Sequence, residues 1–281
     1  MGKTEEVPLG KTLKPPVKTC VITGFGINAD DELQLAFQRA GSRAEKLHIN
    51  DLISAPYTLH EYHILAFPGG FSYGDHLGSG KVFAGLFKRN LKEALDGFLA
   101  SGKLVIGICN GFQVLVKMGI LPNLSQSWKP EVSLINNDSG KFEDRWVRLS
   151  FDHGSPCVWT KGLDEMELPV RHGEGKFVIA TDEVLDSIVE RGLIAVRYVS
   201  RSGPVPSAAE DVPYPDNPNG SLLNIAGICD ASGRIFGLMP HPEAFIQIEN
   251  HPRWTREKVT RGRGLEIFER GVRYMEKQLH T

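Results

Sequence analysis

The chain has 281 residues, 41% hydrophobic and 23% charged, with a formal net charge of −2, so it carries no basic footprint for nucleic acid or an anionic membrane. Its four cysteines lie far apart with no CxxC pair, which suggests neither a zinc site nor any other metal centre, nor a disulfide framework. No apolar run reaches membrane-spanning length and no signal-peptide core opens the chain, so a cytoplasmic enzyme without a membrane anchor is the expectation.

Residues 1–16 read as a disordered lead-in ending at Pro15-Pro16, and residues 17–281 as a single domain. Thr19–Thr23 is a short buried strand closed by Gly24-Phe25-Gly26. A helix follows from about Asp31 to Ala40, with Leu33, Leu35, Ala36 and Phe37 inward and Gly41 as its stop. Ala44–Ile49 and His63–Phe67 are further strands, the second running into Pro68-Gly69-Gly70. Lys81 to Ala100 reads as one amphipathic helix on the stripe Phe83, Phe87, Leu91, Ala94, Leu95 and Phe98. Lys103–Ile106 is a strand buried on both faces, and from Phe112 the apolar spacing is helical.

The second half changes character. Trp146–Phe151, Lys176–Ile179 and Leu193–Tyr198 are strand-like with few helices between them. Ile225–Cys229 and Arg234–Leu238 flank Asp230-Ala231-Ser232-Gly233 as a hairpin. Ser200 to Asn219 is a long Pro/Gly/Ser/Asn-rich loop, and a helix on Leu265, Phe268, Val272, Met275 and Leu279 closes the chain. Apolar strands alternating with amphipathic helices give an α/β fold: an open, mostly parallel sheet with helices on both faces, plus antiparallel strands in the C-terminal half. Functional groups then belong at the carboxyl ends of the parallel strands.

Gly107-Ile108-Cys109-Asn110-Gly111 stands at such an end. A glycine two residues to either side of a central nucleophile repeats the spacing of the strand-turn-helix elbow of serine hydrolases, with sulfur replacing oxygen. The turn raises Cys109 and sets it at a helix N-terminus, where the dipole favours a thiolate. A thiolate needs a base, and the base an orienting acceptor. His241-Pro242-Glu243 follows a buried strand and supplies both, Pro242 favouring extended backbone at His241 so that Glu243 lies beside the ring. For the oxyanion of acyl transfer, Asn110 N–H is one backbone donor, and the loop Pro68–Asp75, rich in glycine, supplies the second.

Gly107–Gln113 together with His241-Pro242-Glu243 resembles the triad-type (class I) glutamine amidotransferases, whose fold is flavodoxin-like. The stretches Pro68–Asp75, Asn137–Glu143, Arg171–Phe177, Asn217–Ser221 and Asn224–Cys229 resemble, more narrowly, the glutaminase of phosphoribosylformylglycinamidine synthase. The resemblance implies that Cys109 attacks the side-chain amide of L-glutamine to form a thioester and that His241, held by Glu243, carries the protons. It also implies an oxyanion hole of Gly70 and Asn110 N–H, and glutamine contacts at Gln113, His172, Gly173 and Glu174. The implied partners are an ATP-dependent synthase subunit, which makes formylglycinamidine ribonucleotide for purine biosynthesis, and a small third subunit. ATP and Mg belong on the synthase, with no cofactor on this chain. A stand-alone Cys-His-Glu hydrolase and a non-catalytic docking module remain open, though intact Cys109, His241 and Glu243 weigh against the second.

Overall fold

The computed structural model describes residues 15–74, 77–205 and 210–280. Most of the lead-in, Asp75 and His76 after the glycine loop, residues 206–209 of the long loop and Thr281 lie outside the described residues. The first half contains β1 (Lys18–Thr23), α1 (Asp30–Arg39), β2 (Arg43–His48), α2 (Ile49–Ser54), β3 (Ile64–Phe67), α3 (Lys81–Asn90), α4 (Lys92–Ala100), β4 (Leu104–Ile108) and α5 (Asn110–Met118). The second half adds β5 (Val132–Asn136), β6 (Glu143–Phe151), β7 (Glu165–His172), β8 (Glu174–Ile179), α6 (Asp182–Glu190), β9 (Ile194–Val199), β10 (Ile225–Cys229), β11 (Ile235–Leu238) and α7 (Leu265–Gln278).

Nine strands form one sheet in the order β2-β1-β3-β4-β11-β10-β9-β6-β7, while β5 and β8 pair separately. From β2 to β11 the neighbours are parallel. From β11 to β7 they are antiparallel. The α/β architecture read from the sequence is therefore observed. The step from β1 to β2 runs opposite to that from β3 to β4, so right-handed crossovers put α1 and the α3–α4 pair on opposite faces. On the first of those faces α1 meets α7 through Phe37 and Phe268, with ring centroids 5.0 Å apart.

Four expectations need correction. The helix expected from Lys81 to Ala100 breaks at Leu91 (φ −124°, ψ 4°), although every residue of its apolar stripe is buried. At the end of α3, Asn90 Nδ2 donates to the Leu86 carbonyl at 2.9 Å and so competes with the helical ladder. Leu35 is 43% exposed, because two residues beyond Leu33 is a rotation of about 200° away from the inward face. Leu279 lies past the end of α7 and is exposed, while Ile267 joins the buried face at the other end of the helix. Finally, α2, β5, β7 and α6 are additional elements. Pro169 sits inside β7, which is tolerated because β7 is the sheet edge.

The sheet order places β3, β4 and β11 side by side, with Phe67 opposite Gly107 and Leu238 opposite Ile108. Their carboxyl ends release Gly69-Gly70, Cys109 and His241 next to one another. The adjacent β1 releases Gly24–Ala29, and β1 and β3 are where the strand order reverses.

Candidate active site

Cys109 adopts φ 51°, ψ −106°, a backbone conformation that L-residues avoid and that the surrounding packing must impose. The two glycines of the elbow permit it. A Cβ on Gly111 would lie 2.0 Å from the Phe67 carbonyl oxygen, and one on Gly107 2.7 Å from the Gly111 backbone. Strand and helix thus meet too closely for any other residue at either position. Cys109 N–H donates to the Leu238 carbonyl at 2.8 Å, tying the elbow to β11. The thiol sits at the N-terminus of α5 and donates to the Arg171 carbonyl at 3.6 Å.

His241 and Glu243 are both buried, and Nδ1 and Oε1 are 2.5 Å apart. The route to this contact differs from the extended stretch expected. His241 is extended (φ −106°, ψ 89°), but Pro242–Ala244 forms a 3₁₀ turn that swings the carboxylate back to the ring. The His241 N–H donates to the Pro169 carbonyl at 2.8 Å, so edge strand β7 fixes the histidine from outside. Burial disfavours the imidazolium, but the charges of Glu243 and Cys109 and their hydrogen-bonding contact outweigh it, pushing the His241 pKa up to about 10. In the resting arrangement Nε2 makes no aligned hydrogen bond, and neither does Glu243 Oε2. A Cβ on Gly69 would come within 2.8 Å of His241 Cε1, so the glycine loop forms the wall against which the ring rests.

The same loop offers a backbone donor. Phe71 N–H bonds to the Gly26 carbonyl (2.7 Å) and Asn28 N–H to the Gly69 carbonyl (3.5 Å), which makes Ile27 and Gly70 a non-hydrogen-bonded antiparallel pair. In such a pair the N–H groups point away from the partner strand, leaving Gly70 N–H free. Gly70 has φ 146°, and a Cβ there would meet the 26–28 backbone at 2.7–2.9 Å, so only glycine fits. Asn110 N–H is free as the first amide of α5. The Asn110 side chain accepts from Ser72 N–H at 3.3 Å and donates to Gln113 Oε1 at 3.0 Å. It therefore fastens the glycine loop to α5 and holds the two free amides in fixed relation.

Gly70, Cys109, His241 and Glu243 line one cavity of about 210 Å³. That is below the range of drug-sized sites and suits a small ligand. Asn28, Ala29 and Glu32 from the start of α1, with Phe71, Phe142 and Arg171, complete most of its wall. Gln113, His172, Gly173 and Glu174, expected as ligand contacts, do not line it. The Gln113 carboxamide donates to the Glu174 carbonyl at 2.6 Å, and Glu174 Oε2 accepts from Ser79 N–H. Asn137 binds the 172–175 turn: Nδ2 donates to the His172 carbonyl, while Oδ1 accepts from Gly175 N–H and faces His172 Nδ1. Burial, with the nearby charge of His241 second, lowers the His172 pKa to about 3, so the ring is neutral. These four residues shape the turn that presents Arg171. Arg171 opens the Arg171–Phe177 stretch but was given no role there, Glu32 stands in no motif, and only the tertiary fold brings the two to the cavity.

The model of the CobB/CobQ-like glutamine amidotransferase domain matches residues 16–275. The chain is 46% identical over 259 residues to a phosphoribosylformylglycinamidine synthase subunit PurQ of Dehalococcoides mccartyi, covering 92% of this chain and 97% of that one. It is 40% identical over 277 residues to the PurQ subunit of Methanococcus maripaludis, covering 94% of this chain and all of that protein. Among solved structures it is similar to a chain of PurLQS from Thermotoga maritima. There the TM-score is 0.67 and the identity 28%, over 93% of this chain and 100% of that one.

Proposed function

Because the chain belongs to the CobB/CobQ-like glutamine amidotransferase domain family, as the glutamine amidotransferase subunit of phosphoribosylformylglycinamidine synthase in purine biosynthesis, we propose that Cys109 is its nucleophile, His241 its proton carrier and Glu243 the acid that orients the imidazole. The observation that carries this reading is the meeting of a strained Cys109 elbow, a buried His241–Glu243 pair and the free Gly70 amide in one cavity.

The substrate is L-glutamine. With the Cys109 proton on His241 Nε2, as the raised pKa of the ring favours, the thiolate attacks the carboxamide carbon. The oxygen, now an anion, is held by Gly70 and Asn110 N–H, donors that are worth about 3–4 kcal/mol each in such chemistry when correctly aimed. Collapse breaks the C–N bond, His241 protonates the leaving nitrogen, and ammonia departs from a γ-glutamyl thioester. His241 then takes a proton from water, which attacks the thioester, and glutamate leaves as the thiol re-forms.

Ammonia released here serves a synthase subunit of the PurL type, with a small third subunit completing the complex, as the PurLQS relative suggests. ATP and Mg act on that synthase, and this chain needs no cofactor for its own chemistry. Among the described residues no helix is long and apolar enough to cross a membrane. The reading is tested with Cys109→Ser, which keeps the shape but supplies a much poorer nucleophile. Glutaminase turnover of the assembled enzyme falls by orders of magnitude while the fold, followed by circular dichroism, is retained. Turnover within a few-fold of wild type removes Cys109 from the mechanism.

A further inference from the structure

Two charged residues line the cavity whose side chains have no role in the bond-making chemistry above. Arg171 is the penultimate residue of β7 and its one exposed residue, and Glu32 stands in the first turn of α1. Both are exposed, and among the described residues neither side chain makes a hydrogen bond or an ion pair, not even with each other. The half-buried arginines Arg145, Arg148, Arg253 and Arg270 each bind a carboxylate or a backbone carbonyl; what sets Arg171 apart from other unpaired exposed arginines such as Arg89 and Arg191 is its place at the cavity. A lone cation and a lone anion on the wall of one small cavity, with the nucleophile and its histidine also on that wall, form a dipolar receptor.

We infer that Arg171 and Glu32 read the free amino-acid end of the substrate, Arg171 taking the α-carboxylate and Glu32 the α-ammonium, so that the enzyme selects free glutamine over an amide that lacks either charge. This rests on the reading of Cys109 as the nucleophile toward glutamine. Its chemistry is direct. A guanidinium fork matches a carboxylate in geometry, an ammonium supplies three donors to a carboxylate, and both bonds are charge-assisted. The Arg171 carbonyl accepts from the Cys109 thiol at 3.6 Å, so the residue that reads the carboxylate is also fixed, by its backbone, to the reacting sulfur. Glutamine in a peptide carries neither charge and gains from neither residue.

The test compares three amides on the full chain with its synthase present: L-glutamine, 4-carbamoylbutanoate (no ammonium) and 4-aminobutanamide (no carboxylate). Wild type is expected to lose roughly 10- to 100-fold in kcat/KM on each truncated amide, the effect of one lost charged hydrogen bond. Arg171→Ala should lose a similar factor on glutamine and on 4-carbamoylbutanoate while leaving 4-aminobutanamide unchanged, with partial recovery in Arg171→Lys. Glu32→Gln should show the mirror pattern. A variant that lowers all three amides alike, or none, overturns the assignment of that residue. Cys109→Ser separates the two readings: it abolishes turnover of all three amides if the nucleophile is right, whatever the selectivity pattern.

Discussion

Glu243 holds His241 through Oε1 while Oε2 is buried without a partner, so the carboxylate's charge is directed at the ring. Glu243→Gln keeps the shape and removes that charge. Turnover is expected to fall by about 10²- to 10⁴-fold, as orienting-acid replacement does in serine proteases. The His241 pKa should fall with it, because burial is then less opposed; imidazole NMR titration checks this, and an unmoved titration with full turnover excludes the orienting role. The two buried histidines also set opposite stability limbs. His241, raised from about 6.5 to about 10, stabilises fully below pH 6.5, and this contribution is lost as pH rises through 10. His172, lowered to about 3, stabilises above pH 6.5, and its contribution is lost as pH falls toward 3. Urea unfolding across pH should therefore give a flatter acid limb for His172→Asn and a flatter alkaline limb for His241→Asn. Cys109, His241 and Glu243 were legible because each motif is local. The wall that Gly69 makes for the ring and the places of Glu32 and Arg171 at the cavity were not, although Gly69 and Arg171 lie in stretches the sequence singles out, since these places come from contacts between separate elements.

At the scale of elements, Asn137 joins the 137–142 loop to the β7–β8 turn. Its side chain donates to the Lys141 and His172 carbonyls and accepts from Gly175 N–H, and its own N–H binds the Gly173 carbonyl. One segment carries Phe142 to the cavity and the other carries Arg171. Asn137→Ala leaves several buried polar groups unpaired and should cost about 2–4 kcal/mol in denaturant unfolding. It should also raise the glutamine KM, because Arg171 loses its support; an unchanged midpoint contradicts the role given to this side chain. The parallel half of the sheet was readable from continuous apolar runs. β7 was hidden by Pro169, and α6 by an apolar face on which only Ile188 is fully buried. The break at Leu91 carries no Gly or Pro signal.

For the whole molecule, exposed aromatics stand on the loops that frame the site: Phe71 with Phe142 at 6.2 Å on the cavity wall, and Phe25 with Tyr73 in edge contact at 5.8 Å on the adjoining 24–29 and glycine loops. Such a patch beside a site that hands on ammonia suits a protein partner. Phe25→Asp should weaken association with the synthase at least tenfold by calorimetry while Cys109 remains reactive; unchanged affinity places the interface elsewhere. Cys20, Cys157 and Cys229 are wholly enclosed, and burial pushes the Cys20 and Cys157 thiols upward. Enclosure keeps these three thiols from a substrate, which leaves Cys109, on the cavity wall, as the accessible sulfur. The most direct measurement is acid quenching of the assembled enzyme during glutamine turnover, followed by peptide mass mapping. Thioester catalysis predicts one glutamyl group on the peptide containing Cys109, absent in Cys109→Ala. A glutamyl group on another residue, or steady turnover by Cys109→Ala, contradicts it.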